Sequence, residues 1–187
     1  MDRRVQRTRA QLKAALTELM AEKDIQDITV CELADKVNIS RGTFYLHYKN
    51  VFDMLEQVEE EMLQGLREAI AVRPADADSN PFWRLRPTYE FFTKHGAFTS
   101  VLMGPHGDRA FMQRVGNVLL EHCRRDYAAA FPGGNDRDYE YLFNFLFGGS
   151  LFILQAGLRP GKQETPEYMA ERTNRATLAG IKALTEK

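Results

Sequence analysis

Between residues 40 and 49 the chain reads Ser-Arg-Gly-Thr-Phe-Tyr-Leu-His-Tyr-Lys. Phe44 and Tyr48 stand four apart and predict the inward side of a short helix. That leaves Arg41, Gly42, Thr43, Tyr45, Leu46, His47 and Lys49 for the outside. The set holds a planar cation, hydrogen-bond donors and acceptors, and one position with no side chain. A solvated surface turn more usually carries Glu, Lys and Gln. These residue types suit contact with a polyanion and with base edges.

The residues just before them predict how they are held. Thr29-Val-Cys-Glu32 has the spacing of a capping box, in which the Thr hydroxyl and the Glu carboxylate each satisfy a backbone amide of the first turn. Val30, Leu33, Ala34 and Val37 follow at the spacing of one helical face. Asn38 falls where the chain must turn, and Asn tolerates positive φ better than most residues. Ile39 is a lone apolar anchor in that turn, and Ser40 is a good cap for a second helix over 40–48. The stretch reads as a helix-turn-helix whose second helix enters the DNA major groove.

Thr29-Val30, Leu33-Ala34 and the run Ile39-Ser40-Arg41-Gly42-Thr43-Phe44-Tyr45-Leu46-His47-Tyr48 resemble the signature of the TetR/AcrR family. The resemblance covers about the first quarter of the chain. The resemblance agrees with an all-α fold, which the helices read in order below, about nine with no strand-like alternation, predict on their own. An amino-terminal three-helix DNA-binding domain, residues 1–49, would precede a helical ligand-binding and dimerisation domain, residues 50–187. It also implies DNA contact by Arg3, Arg4, Arg7, Thr29, Val30, Arg41, Gly42, Thr43, Tyr45, Leu46, His47 and Lys49. Two positions depart from the pattern: the Gly common in the family's turn is Asn38, and a Lys often found after the recognition helix is Val51. Lys49 can supply the phosphate contact that Val51 lacks.

Charge is arranged rather than abundant. The formal net charge is −1, so the molecule is no polybasic nucleic-acid binder as a whole. Residues 1–49 hold nine Lys/Arg against seven Asp/Glu, and the cluster Arg3, Arg4, Arg7, Arg9 opens the chain. Such a cluster can reach phosphates or the minor groove, because local charge governs that attraction. Cys31 and Cys123 lack the spacing of a zinc or redox motif. His95, His106 and His122 are not at ligand spacing, so no metal or other cofactor is expected. No nucleophile–base arrangement, carboxylate pair or phosphate loop points to an enzyme. No signal peptide is visible, which makes the cytoplasm the expected location.

Read in order, the sequence predicts helix over 3–23, then a short connection with Ile25 and Ile28 plugging the three-helix core. Asn50, with Asp53 three residues on, caps a helix to Val72 whose apolar face is Phe52, Leu55, Val58, Met62, Leu66 and Ile70. Residues 73–80 are a polar linker, and Asn80-Pro81 predicts the next helix start, with a kink or break at Pro87. A short helix ends at Gly104-Pro105, and Asp108 caps another to Phe131, stopped by Pro132-Gly133-Gly134. Asp136 or Asp138 opens the next, and Thr165-Pro166-Glu167 caps the last.

The segment 141–158 carries no charge and is apolar all round. It is near the lower length of a membrane span but holds Asn144, Ser150, Gln155 and a Gly-Gly pair, so no membrane is expected. A helix apolar all round must bury every face. One side is expected on its own domain and the other on a second copy, through Phe145, Gly148, Gly149 and Phe152, joined by Thr173 and Ala176 of the last helix. Two chains would form a four-helix interface. Homodimerisation also suits the reading of a near-palindromic double-stranded operator by two short helices.

Large apolar side chains crowd residues 82–155. Trp83, Tyr89, Phe92, His95, Phe98, Met103, Phe111, Met112 and Asn144 are the expected lining of a site for a small apolar effector. Any one of them equally suits plain core. The expected function is a ligand-responsive transcriptional regulator, a repressor, acting as a homodimer on DNA. The rival is an interaction protein that kept the fold and lost DNA binding. Val51 and the near-neutral charge allow that rival, while the residues left outside on 40–49 argue against it.

Overall fold

The computed structural model describes residues 3–74, 77, 80–130, 136–159, 161 and 164–185, without the side chains of 127–130 and 180–185. The described residues form nine α-helices and a short 3-10 turn at Ile25–Asp27, with no strand. The chain divides into two compact units. The first takes in 1–63 and 97–112, and the second takes in 64–96 and 113–187.

In the first unit, α1 (Arg3–Met20) buries Leu12, Ala15, Leu16 and Met20, one stripe at helical spacing. Ile25–Asp27 is the 3-10 turn, and Ile28 beside it is buried. α2 (Val30–Lys36) packs on α1, burying Leu33 and Ala34. α3 (Arg41–Tyr45) packs on α2 through Phe44, which is fully buried. α4 (Val51–Ala71) starts as expected: Asn50 Oδ1 accepts from the Asp53 amide at 2.8 Å, and Asp53 Oδ2 accepts from the Lys49 amide at 2.8 Å. Its buried stripe is Val51, Met54, Leu55, Val58, Met62, Leu66 and Ile70. Phe52, expected in that stripe, is exposed, because the stripe begins one residue earlier, at Val51. α6 (Gly96–Leu102) contributes Phe98 and Leu102 to the buried residues, with the Lys13 ammonium 5.3 Å from the Phe98 ring centroid.

The second unit holds the last part of α4 from Gln64, Gly96 of α6, and α5 (Leu85–Lys94), α7 (Arg109–Ala130), α8 (Asp136–Gly157) and α9 (Pro166–Thr185), apart from the first turn of α7. α9 packs on both α5 and α8. Gly157 permits close approach: a Cβ there would come within 2.6 Å of Met169 Sδ. The expected helix start at Pro81 is corrected. Asn80 Oδ1 accepts from the Phe82 amide, residues 81–84 form turns, and the helix begins at Leu85. Pro87 therefore sits in the first turn, where its missing N–H costs no intrahelical bond, and it causes no break. Asp108 and Thr165 cap α7 and α9 as expected, accepting from the amides of Ala110 and Tyr168. Phe131 and the stop at Pro132-Gly133-Gly134 lie outside the described residues. No helix among those described is long and apolar enough to cross a membrane.

Candidate nucleic-acid interface

Local chemistry fixes the two short helices. The capping box is complete: the Thr29 hydroxyl accepts from the Glu32 amide, and the Glu32 carboxylate accepts from the Thr29 amide and hydroxyl, both at 2.9 Å. Lys23 Nζ adds an ion pair at 2.5 Å. The Lys23 ammonium first, and the Thr29 donors after it, hold the Glu32 carboxyl down at about 2, against an ordinary 4.5. A depressed carboxyl stabilises the fold above its unfolded value and loses that contribution as pH falls through the folded one. The box is therefore expected to weaken between about pH 4.5 and 2. In Glu32→Gln that part of the acid transition should vanish, which a pH titration of helicity would record.

The turn is made by Asn38 at φ 54°, the only described non-glycine residue with positive φ. Ser40 then caps α3, its hydroxyl accepting from the Thr43 amide at 3.0 Å. With Phe44 and Tyr48 buried, the rest of 40–49 turns outward. Tyr45 is 57% and Leu46 82% exposed, and Arg41, Gly42 and Lys49 are exposed too. Thr43 and His47 are half-buried, with the Thr43 hydroxyl 2.9 Å from that of Ser40. Thr29 is exposed but its side chain is taken up in the box, and Val30 is half-buried. Val51 is buried, so position 51 offers nothing to a phosphate.

The basic residues divide by partner. Lys23 pairs with Glu32, Lys36 with Glu18, and Arg9 with Glu61 at 2.6 Å. Arg9 thus leaves the opening cluster. Its guanidinium also reaches Gln57 and lies 5.2 Å from the Tyr48 ring centroid, tying α1 to α4 and to the end of the reading stretch. Arg3, Arg4 and Arg7 are exposed on the first turns of α1. Arg41 forms no ion pair among the described residues.

The residues expected around a ligand are divided between the two units. Phe98, Met103, Phe111 and Met112 belong to the first unit. Trp83 and Phe92 are buried in the second, His95 is half-buried against Phe91, and Asn144 is exposed. Tyr89 does line a partly open cavity of about 50 Å³, together with residues of α5, α7 and α8 such as Leu85, Leu119, Cys123, Phe143 and Ser150. Those positions recur at helical spacing, as with 85 and 89, or 119 and 123, but periodicity does not say which stripes meet. His106 pairs with Asp24 at 2.5 Å and His122 Nδ1 lies 2.8 Å from the Val118 carbonyl oxygen. Among the described residues no three His, Cys, Asp or Glu are grouped to hold a metal.

Of the residues expected between two copies, Phe145 and Phe152 are each 75% exposed, and Gly149 and Ala176 are exposed with them. Gly148 is half-buried. Thr173 is buried instead: its hydroxyl lies 3.1 Å from the Tyr89 hydroxyl and donates to the Met169 carbonyl.

Known proteins share this arrangement. Residues 12–58 match the bacterial regulatory proteins of the tetR family, and residues 80–178 match a transcriptional regulator C-terminal region. The HTH-type transcriptional regulator EthR of Mycobacterium tuberculosis is 30% identical over 167 residues, 81% of this chain and 77% of EthR. An uncharacterised HTH-type regulator of Bacillus subtilis, YxbF, is 39% identical over 98 residues, half of this chain but only 26% of YxbF. A putative TetR-family regulator from Syntrophomonas wolfei superposes with a TM-score of 0.71 at 17% identity, covering 93% of this chain and 94% of that one. With both of its regions matched, and a helix-turn-helix whose outward residues suit DNA, the chain belongs to the TetR family of transcriptional regulators.

Proposed function

We propose that this chain is a ligand-responsive repressor that binds a near-palindromic operator as a homodimer, with residues 1–49 as the DNA-reading part and 50–187 as the effector-binding and dimerising part. The observation that carries DNA reading is the split of 40–49 into a buried pair, Phe44 and Tyr48, and an outward set led by Arg41, Tyr45, Leu46 and Lys49. Arg41 and Thr43 read base edges, Tyr45 and Leu46 make apolar and backbone contacts, and Lys49 with Arg3, Arg4 and Arg7 meets phosphates.

The support for the homodimer is a stripe on α8. Tyr141, Phe145 and Phe152 are exposed large side chains on a helix whose other side, Phe143, Leu146 and Leu154, is core. A Cβ at Gly148 or Gly149 would meet nothing within 4 Å, so nothing described in this chain accounts for two missing side chains there. A second helix lying against them would. Two reading helices one DNA turn apart, roughly 34–36 Å, then see one side of the duplex.

Selection of genomic fragments by the purified protein tests the DNA reading, and the fragments should share an inverted repeat. On such a fragment Arg41→Ala is expected to cost about 1–3 kcal/mol and to relax preference at one position per half-site. Lys49→Ala should weaken specific and random DNA alike and flatten the salt dependence by roughly one unit for each phosphate no longer neutralised. Equal effects of the two variants on both kinds of DNA would mean that these roles are misassigned.

A further inference from the structure

Lys49 stands between α3 and α4, outside both helices. No helical ladder fixes its backbone. Its amide donates instead to a side chain, Asp53 Oδ2, at 2.8 Å. The same oxygen accepts from Gln57 Nε2 at 3.0 Å, one turn further along α4. The other end of that side-chain amide, Gln57 Oε1, accepts from Arg9 Nη2 at 3.4 Å. A hydrogen-bonded chain thus runs from α1, over two side chains of α4, to the backbone of Lys49. Its polarity agrees at every link, since each acceptor is an amide or carboxylate oxygen and each donor carries a proton. The Lys49 amide first, with Gln57 adding to it, holds the Asp53 carboxyl below its usual value.

Arg9 reaches the same place a second way. Its guanidinium lies 5.2 Å from the ring centroid of Tyr48, the buried residue just before Lys49. Nη2 carries two hydrogens, and the one not aimed at Gln57 goes to Glu61 at 2.6 Å. Glu61 is 55% exposed, so that ion pair adds little by itself. It aims the guanidinium, leaving the planar face to the ring and one N–H to Gln57. The Arg9 side chain is only 23% exposed, while Arg3, Arg4 and Arg7 are exposed.

We infer that Arg9 is a positioning residue for DNA reading: it sets where Tyr48 and Lys49 stand against α4, without touching DNA itself. The inference rests on the reading of 40–49 as the DNA-contacting stretch, and it names a residue outside that stretch on which the stretch depends. A contact group has to be held within about 0.5 Å of its productive place, and side chains that lock it from behind do that. A Lys at position 9 would keep the charge but lose the planar fork that lies against the ring while it donates sideways. Random DNA asks only for the charge of Lys49, which a loosened chain still carries. A selected fragment asks for its place as well.

The full-length protein is compared with Arg9→Met, Arg9→Lys, Gln57→Leu and the Arg9→Met/Gln57→Leu double variant. Without DNA, Arg9→Met and Gln57→Leu should each speed hydrogen exchange of the Lys49 amide at least about threefold, and leave that of Leu16, in the buried stripe of α1, unchanged. On a genomic fragment selected by the parent, each should bind about tenfold more weakly, the worth of one hydrogen bond. The double variant should bind no worse than Arg9→Met alone, because both break one chain. Affinity for random DNA and the salt slope should stay as in the parent, since no phosphate contact is lost. Arg9→Lys should fail to restore binding. A salt slope flattened by about one unit in Arg9→Met would make Arg9 a phosphate contact and overturn the inference. Full binding by Arg9→Lys, equal loss on random DNA, an unmoved Lys49 amide, or Leu16 exchange raised as much as that of Lys49 would each overturn it too. A parent that selects no fragment refutes the reading of 40–49 and the inference with it. A parent that selects fragments which the variants bind equally well refutes the role of Arg9 alone.

Discussion

Phe145→Asp is expected to convert the proposed dimer into single folded chains and to remove binding to the proposed operator at ordinary protein concentrations. Burying a Phe side chain is worth about 1.5–3 kcal/mol, and a two-fold interface buries each such residue twice. Losing roughly 3–6 kcal/mol raises the dimer dissociation constant by at least about 100-fold, before the cost of desolvating two carboxylates is added. The side chain is 75% exposed in the single chain, so its own fold should change little. Substitutions at such surface positions usually stay within about 0.5 kcal/mol. Sedimentation should show half the mass, and thermal unfolding a dilution-dependent midpoint only in the parent. Phe152→Asp should act alike, since it stands seven residues on, along the same side of α8. A variant that stays dimeric would mean that two copies meet through a different face.

Phe44→Ala is expected to abolish DNA binding by a different route. Phe44 is fully buried and stacks edge-on with Tyr45 and at a tilt with Tyr48, both at 5.7 Å between centroids. Truncating a buried Phe to Ala costs about 3–5 kcal/mol, a large share of the roughly 5–15 kcal/mol that holds a domain folded. Three α-helices and the start of a fourth share this core, so the first unit should lose protection from hydrogen exchange throughout. Leu46→Ala, two residues away and 82% exposed, should leave exchange unchanged while weakening DNA binding. If Leu46→Ala destabilised the first unit as much as Phe44→Ala, the inward and outward sides of α3 would be misassigned.

The reading stretch was legible because its determinants are local. A capping box needs only residues three apart, a left-handed turn needs only an Asn, and a five-residue helix with one buried Phe has few faces to choose between. Helix ends elsewhere followed the same rule, as at Asn50, Asp108 and Thr165. Local signals failed where two competed. Asn80-Pro81 looked like a helix start, but an Asx turn to the Phe82 amide used the same residues, and Pro87 in a first turn left no kink. Phe52 fits the helical spacing of that stripe, but Val51 and Met54 set its register and leave Phe52 exposed.

By itself the sequence determined an all-α chain with a helix-turn-helix and the side of each short helix that faces out, since backbone capping and the 3.6-residue repeat operate within one element. Only the tertiary structure decided which stripes meet. It brought Tyr89 to one cavity wall with Leu85, Leu119 and Ser150, left Asn144 exposed, and placed Phe98 and Phe111 in a different unit from Trp83. It also gave Arg9 to Glu61 and turned Thr173 toward Tyr89. The physical reason is that aromatic and aliphatic side chains carry no address: each gains as much from burial against one apolar neighbour as against another, and the packing of whole helices makes the choice.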